Sequence, residues 1–258
     1  MCLIDSGACV GTFVINEKCK IIAKNAFALR DSLTDIVLPS GITNIGEQAF
    51  VCCTSLRSIT LPTGIANLGS EIFRQCSALE SVTLPDDMFG LSYNMFGSCS
   101  RLENVTLPDG LKIIDGGAFS GCESIESIIV PDSVKSIGGG AFGGCSSLKN
   151  VKLPYGIEKI EAGMFNSCTS LESVVFPESV TEIEEGLFKW CDSLKEIALP
   201  EGLTVVPRDT FRSCISLERV TLPDTVVKID RAAFYGCGSL KTLSLPENVR
   251  KIADEAFY

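Results

Sequence analysis

Histidine is missing altogether from the 258 residues. Its absence removes the commonest general base and the commonest metal ligand, so the usual hydrolase and zinc chemistries lose their central group. No Gly-rich phosphate loop, nucleophile elbow or spaced acid pair stands apart from the rest of the chain, and neither enzymatic activity nor a cofactor is expected. Long apolar runs are lacking too. Pro, Gly or a charge interrupts each of them before the ~18 residues that a membrane helix needs, so no membrane insertion is expected. Positive charge is in short supply: 22 Lys and Arg stand against 32 Asp and Glu, a net charge of −10, and the basic residues are scattered. Such a surface repels a phosphate backbone, which argues against nucleic acid as a partner. The opening Met1-Cys-Leu-Ile-Asp-Ser-Gly7 has neither the basic nor the long apolar region of a secretory signal, as a mature or trimmed chain would also show.

What is present is order. With 45% hydrophobic and 21% charged residues the composition is that of a folded chain with ample core. Phe recurs at 27, 50, 73, 96, 119, 142, 165, 188, 211, 234 and 257, a spacing of 23 without insertion or deletion. Pro follows twelve residues after each Phe but the last, from Pro39 to Pro246. A Leu column from Leu33 to Leu240, broken once by Ile125, lies between them, followed by an Ile/Val column beginning at Ile36 and Ile59. A coil of this length cannot bury its apolar side alone, so identical coils must stack and turn each column into a ladder through a shared core.

Within a coil, Leu102-Glu-Asn-Val-Thr-Leu-Pro108 alternates inward and outward residues near its end and reads as a short strand that Pro stops. In-register strands pair in parallel at about 4.8 Å, which predicts a rod or arc roughly 50 Å long. Right-handed coiling is expected for parallel crossovers. Turns such as Pro108-Asp109-Gly110 follow each strand, and a return limb such as Ile45-Gly-Glu-Gln-Ala-Phe50 then sends a ring inward. The bulk of that ring is expected to splay the coils on its side and leave the strand face concave.

The grammar Leu-x-x-Val-x-Leu-Pro-x-x-Val-x-x-Ile-x-x-x-Ala-Phe-x-x-Cys, held from about residue 10 to 258, resembles the BspA-like class of leucine-rich repeats. The resemblance implies an α/β repeat solenoid, a right-handed horseshoe of about eleven 23-residue coils with short parallel strands on the concave face. It implies a cell-surface or secreted bacterial protein, or one of a mucosal protozoan, adhering to proteins of a host matrix or a neighbouring cell. Residues 1–258 are read as one domain. Residues 1–26 form a degenerate first coil, in which Asn16 replaces Pro, Cys19 takes the Ile42 column and Ile4 stands where Phe belongs. The chain stops at Tyr258 without a polar terminal repeat, and a solenoid needs its end covered, so a continuation or a covering molecule is expected there.

Several columns look chemical. Cys53, Cys76, Cys99, Cys122, Cys145, Cys168, Cys191, Cys214 and Cys237 each lie three residues after a Phe. Parallel in-register side chains point alike rather than at each other, and a line does not converge on a metal, so the ladder reads as buried, free, structural thiols. Cys2, Cys9, Cys19 and Cys52 are off the ladder, and a Cys2–Cys9 bridge is one reading of the first pair. Asp86, Asp109, Asp132, Glu178, Glu201, Asp224 and Glu247 follow their prolines. A calcium-binding edge competes there with plain turn preference, and the β-roll calcium motif is missing. Glu126, Lys149, Glu172, Lys195, Glu218 and Lys241 alternate in sign, as cross-strand pairs do. Glu80, Glu103 and Glu126, like-charged neighbours, are instead placed to meet a basic partner.

The outward strand positions are where a partner would lie. One row holds Thr60, Thr83, Thr106, Ile129, Lys152, Val175, Ala198 and Thr221, with Asn104, Ser127, Asn150 and Ser173 beside it. From these the candidate contact residues are Asn104, Thr106, Ile129, Asn150, Lys152, Val175 and Ala198, with Ile129, Val175 and Ala198 as an apolar spot. Trp190 joins them, next to Lys189 and near Arg212 and Tyr235 in later coils. A second irregularity is Asp87-Met-Phe-Gly-Leu-Ser-Tyr93-Asn-Met95. The functional expectation is a protein-binding, adhesive module. Alternatives are an intracellular scaffold, suggested by abundant thiols, and a targeting domain fused to an enzyme beyond Tyr258.

Overall fold

The structure, a computed structural model, describes residues 11–258. Three limbs build each coil. The first is the expected strand, seen as Leu33–Val37, Ser58–Thr60, Ser81–Thr83, Asn104–Val105, Ser127–Ile129, Asn150–Lys152, Glu196–Ala198 and Arg219–Thr221. The second is a shorter row just before the return limb, from Ile21–Ile22 and Asn44–Ile45 to Lys228–Ile229 and Lys251–Ile252. Pairing is parallel throughout, and partners such as Asn44↔Asn67 and Ser58↔Ser81 stand one repeat apart. Inward Ile and Val alternate with exposed neighbours along these strands, the period-two pattern of a sheet with one buried face.

The third limb carries Phe and overturns one expectation. The described residues hold strands and turns but no α-helix, so the α/β class is corrected to a parallel β-solenoid of about eleven turns. Backbone geometry gives the reason. The residues two before and two after each repeat Phe from Phe27 to Phe234 adopt left-handed φ, as at Gln48 (55°) and Cys52 (58°) around Phe50, or Gly140 (61°) and Gly144 (74°) around Phe142. Left-handed residues at every fourth position break the run of right-handed φ that a helix requires. Alternate N–H groups instead split their roles. Ala49 and Val51 donate to carbonyls three residues back, while Gln48, Phe50 and Cys52 donate to Ser70, Ile72 and Arg74 of the next coil.

These three coil-to-coil bonds recur without a gap from Asn25, Phe27 and Leu29 to Ala232, Phe234 and Gly236, at 2.6–3.2 Å, always with the earlier coil as donor. The strand row is less continuous. Its ladder runs unbroken from Gly11–Val14 to Asn104–Val105, then survives as the separate pairs Ser127–Ile129 with Asn150–Lys152 and Glu196–Ala198 with Arg219–Thr221. The Phe limb is therefore bonded from coil to coil without interruption, and the gaps fall in the two strand rows.

Side chains explain why each column holds its residue type. The rings from Phe27 to Phe257 stack at centroid distances of 5.1–5.9 Å and interplanar angles of 2–18°. All except Phe257 are buried, each contributing roughly 1.5–3 kcal/mol of transfer free energy. Phe13 of the first coil meets this stack edge-on at Phe27, at 5.4 Å and 64°. Where Gly stands second in the return limb the coils approach closely: a Cβ on Gly69, after Leu68, would collide with the backbone of Glu47. One hydrophobic cluster results, running from Ile15 to Ala256.

Candidate interaction surface

The cysteine column lies inside the molecule. Each ladder thiol from Cys53 to Cys237 donates to the carbonyl of the Phe one coil back, Cys145 Sγ to Phe119 O at 3.2 Å for instance. Cys at this position thus fills a small slot and also satisfies a carbonyl. Burial pushes the Cys99 and Cys168 thiols up to about 12 and Cys237 to about 11. A thiolate, the form that ligates metals and attacks electrophiles, is disfavoured there. The described cysteines are free. The Cys2–Cys9 reading lies outside the described residues.

One carboxylate of the acidic turn row, and one just beside it, bond to backbone N–H groups. Asp87, beside the row, accepts from Gly64 N at 2.8 Å and Asp132 from Tyr155 N at 3.0 Å, so these carboxylates clip one turn to its neighbour. Among the described residues no acidic or thiol group gathers with two others as a metal site would require. In the row of alternating sign, Lys149 reaches Glu126 at 3.1 Å, while among the described residues Lys195 and Lys241 make no ion pair. Exposed pairs of this kind contribute about 0–1 kcal/mol.

The strand face brings seven of the eight candidate residues together. Asn104, Thr106, Asn150, Lys152 and Ala198 are exposed, Ile129 is 67% exposed and Val175 81%. Ile129 pairs with Lys152, and Lys152 bridges to Val175, so the three follow one another along the ladder. Ala198 comes next, beyond a break: Val175 and Ala198 share no strand pairing. A cleft of about 770 Å³ opens at this break, between Val175, Phe176 and Ala198 on its apolar side and Glu178, Glu201 and Arg219 on its polar side. Arg219 pairs with Glu196 at 2.7 Å on its rim.

Trp190 does not belong to this face. It sits on the Phe limb in a left-handed conformation (φ 61°), 43% exposed, with Lys189 Nζ 4.3 Å from its ring centroid. Arg212 covers Tyr235 in the same way at 4.5 Å, and Tyr235 stacks on Tyr258 at 5.1 Å. The irregular coil at Asp87–Met95 exposes Phe89 (66%) after its turn and Tyr93 (52%) three residues before Phe96.

Sequence reasoning passed over Phe176 and Tyr155. Phe176 replaces the Leu that precedes Pro in neighbouring coils (Leu153, Leu199), and its ring turns edge-on to Phe188 at 6.1 Å and 66°. Tyr155, 70% exposed, stands in the acidic turn row under Lys152, whose Nζ lies 5.8 Å from the ring. Both are single departures from a column, which is the signal that would have found them.

Comparison with known proteins gives the family. Residues 7–125, 112–221 and 181–258 match the model described as BspA type leucine rich repeat region, in six copies. A crystal structure of a leucine-rich repeat protein from Bacteroides ovatus superposes with a TM-score of 0.83 at 30% identity, covering 93% of this chain and 67% of that one. A leucine rich cell surface protein from Faecalibacterium prausnitzii gives 0.61 at 27% identity, covering 83% of this chain and 59% of that one. The chain thus spans less than two thirds of that protein's length. No curated protein matches it significantly. Leucine-rich repeat proteins generally mediate protein interaction and are generally not enzymes. By its matched repeats and its stacked Phe-ticked coils, the chain belongs to the BspA-type leucine-rich-repeat family.

Proposed function

We propose that the chain is a non-enzymatic adhesion module, displayed at the cell surface or secreted, that binds a partner protein through its long-strand face. The observation that carries this is the consecutive exposure of Ile129, Lys152 and Val175 beside the cleft, on a face otherwise lined by small Thr, Ser and Asn side chains. Small residues admit close approach of a broad surface, and exposed apolar side chains with a polar rim have the anatomy of an interface core. The resemblance to a cell surface protein of Faecalibacterium prausnitzii supports the location. The test is capture of host matrix and neighbouring-cell surface proteins by wild type and by the double variant Lys152→Glu plus Val175→Arg. A loss of about tenfold or more in affinity is expected for changes at the centre of an interface. Unchanged binding overturns the assignment to this face.

One observation favours a second reading. The free state of the described cysteines suits a reducing compartment and hence an intracellular scaffold. Protease shaving of intact cells separates the two: loss of the chain supports surface display, and protection supports the scaffold.

A further inference from the structure

Two depressions on the long-strand face join into one groove. The apolar cleft of about 770 Å³ and a polar depression of about 630 Å³ share Ser173, Glu196 and Arg219 in their walls. The joined groove runs along the strand direction from Glu172 to Glu178, a length of about 20 Å at the strand rise of ~3.3 Å per residue. Its apolar end is built by an exception in the sequence. Phe176 occupies a Leu column, and at this step the ladder fails. Leu61, Val130 and Leu199 donate their N–H groups to the next coil, whereas among the described residues the equivalent N–H of Phe176, like those of Leu84, Leu107, Leu153 and Leu222, makes no such bond. Val175 meanwhile stands 81% exposed at the lip.

Charge decides what fits. Arg219 is engaged by Glu196 at 2.7 Å. That leaves Glu172, Glu178, Glu201 and Glu218 along the groove against Lys195. A phosphate-bearing ligand or an acidic segment would be repelled, and a basic one attracted. The apolar cleft has room for one large side chain, and the unpaired Phe176 N–H offers a donor to the carbonyl of an extended backbone.

We propose that this groove docks an extended basic segment of a partner protein, with one apolar side chain in the Val175–Phe176–Ala198 cleft and flanking Lys or Arg along the carboxylates. The proposal rests on protein binding through the long-strand face and names the chemistry of the partner there. About six residues of extended peptide span the groove.

The probe is a phage-displayed library of random dodecapeptides selected on the full chain, with enriched peptides synthesised and measured by fluorescence anisotropy. Enriched peptides are expected to carry Lys or Arg around a Leu, Phe or Trp, and to weaken as salt rises. Ala198→Trp, which fills the cleft from an exposed position, and Glu178→Lys with Glu201→Lys, which reverse its rim, are each expected to weaken them about tenfold or more. Phe89→Arg, exposed but away from both the groove and the strand face, is expected to leave them unchanged. No enrichment, enrichment of acidic peptides, or equal binding to Ala198→Trp overturns the groove. Peptides lost with Ile129→Arg but retained by Ala198→Trp overturn the groove and leave the strand-face reading standing. Peptides indifferent to every one of these changes count against both.

Discussion

Replacing Cys145 by Ser is expected to remove one proton's worth of alkaline destabilisation. Burial is the main cause that raises the Cys145 thiol well above its ordinary value of 9.0, with Cys168 adding to it. The folded value lies above the unfolded one, so the stabilisation is present in full below about pH 9 and is lost as pH rises toward the folded value. At about pH 10 the unfolded thiol is mostly ionised while burial favours the protonated form of the folded one, which shifts the balance toward unfolding by about 1 kcal/mol. Cys99, Cys122, Cys168 and Cys191 are raised by the same burial and act in the same direction. A Ser hydroxyl does not titrate and can keep the bond that Cys145 Sγ makes to Phe119 O. Urea unfolding followed by far-ultraviolet circular dichroism, in reductant at about pH 8 and pH 10, then gives a stability loss smaller by about 1 kcal/mol in Cys145→Ser than in wild type. Constant packing costs and the titration of Tyr and Lys cancel in that difference. An identical loss in both proteins, or a wild-type midpoint that does not move up to about pH 10, refutes the buried-thiol account.

Phe142→Ala empties a site between Phe119 at 5.8 Å and Phe165 at 5.9 Å, and a cost of about 3–5 kcal/mol is expected from urea titration. A cost under ~1 kcal/mol would mean that neighbouring coils collapse into the gap. Gly140→Ala meets no atom within 4 Å yet has φ +61°, so any loss is a backbone cost of about 1–2 kcal/mol. An unchanged midpoint would show that the Phe limb does not require its left-handed residues.

The repeat, its number of coils, the buried Phe, Leu and Cys columns and the outward row of Thr60 to Thr221 were legible because each depends on spacing alone. One in-register column becomes one ladder whatever the details of the coil. The cleft was not legible. It needs the ring of Phe176 to turn onto Phe188 and the ladder to fail before Ala198, both outcomes of packing among three coils rather than of any local pattern. Trp190 looked like a partner of the strand-face residues because it shares their aromatic and apolar chemistry, but its place in the coil puts it on the Phe limb.

The class of the fold divides the same way. The 23-residue period by itself determined a stack of parallel coils with Phe inside. Whether the return limb is helical was decided only in three dimensions. Its left-handed positions are held by Leu29, Gln75 and Trp190 as well as by Gly, so local propensity does not mark them. What stabilises them is the neighbouring coil, whose carbonyls accept their N–H groups and offset a conformational cost of about 1–2 kcal/mol per residue.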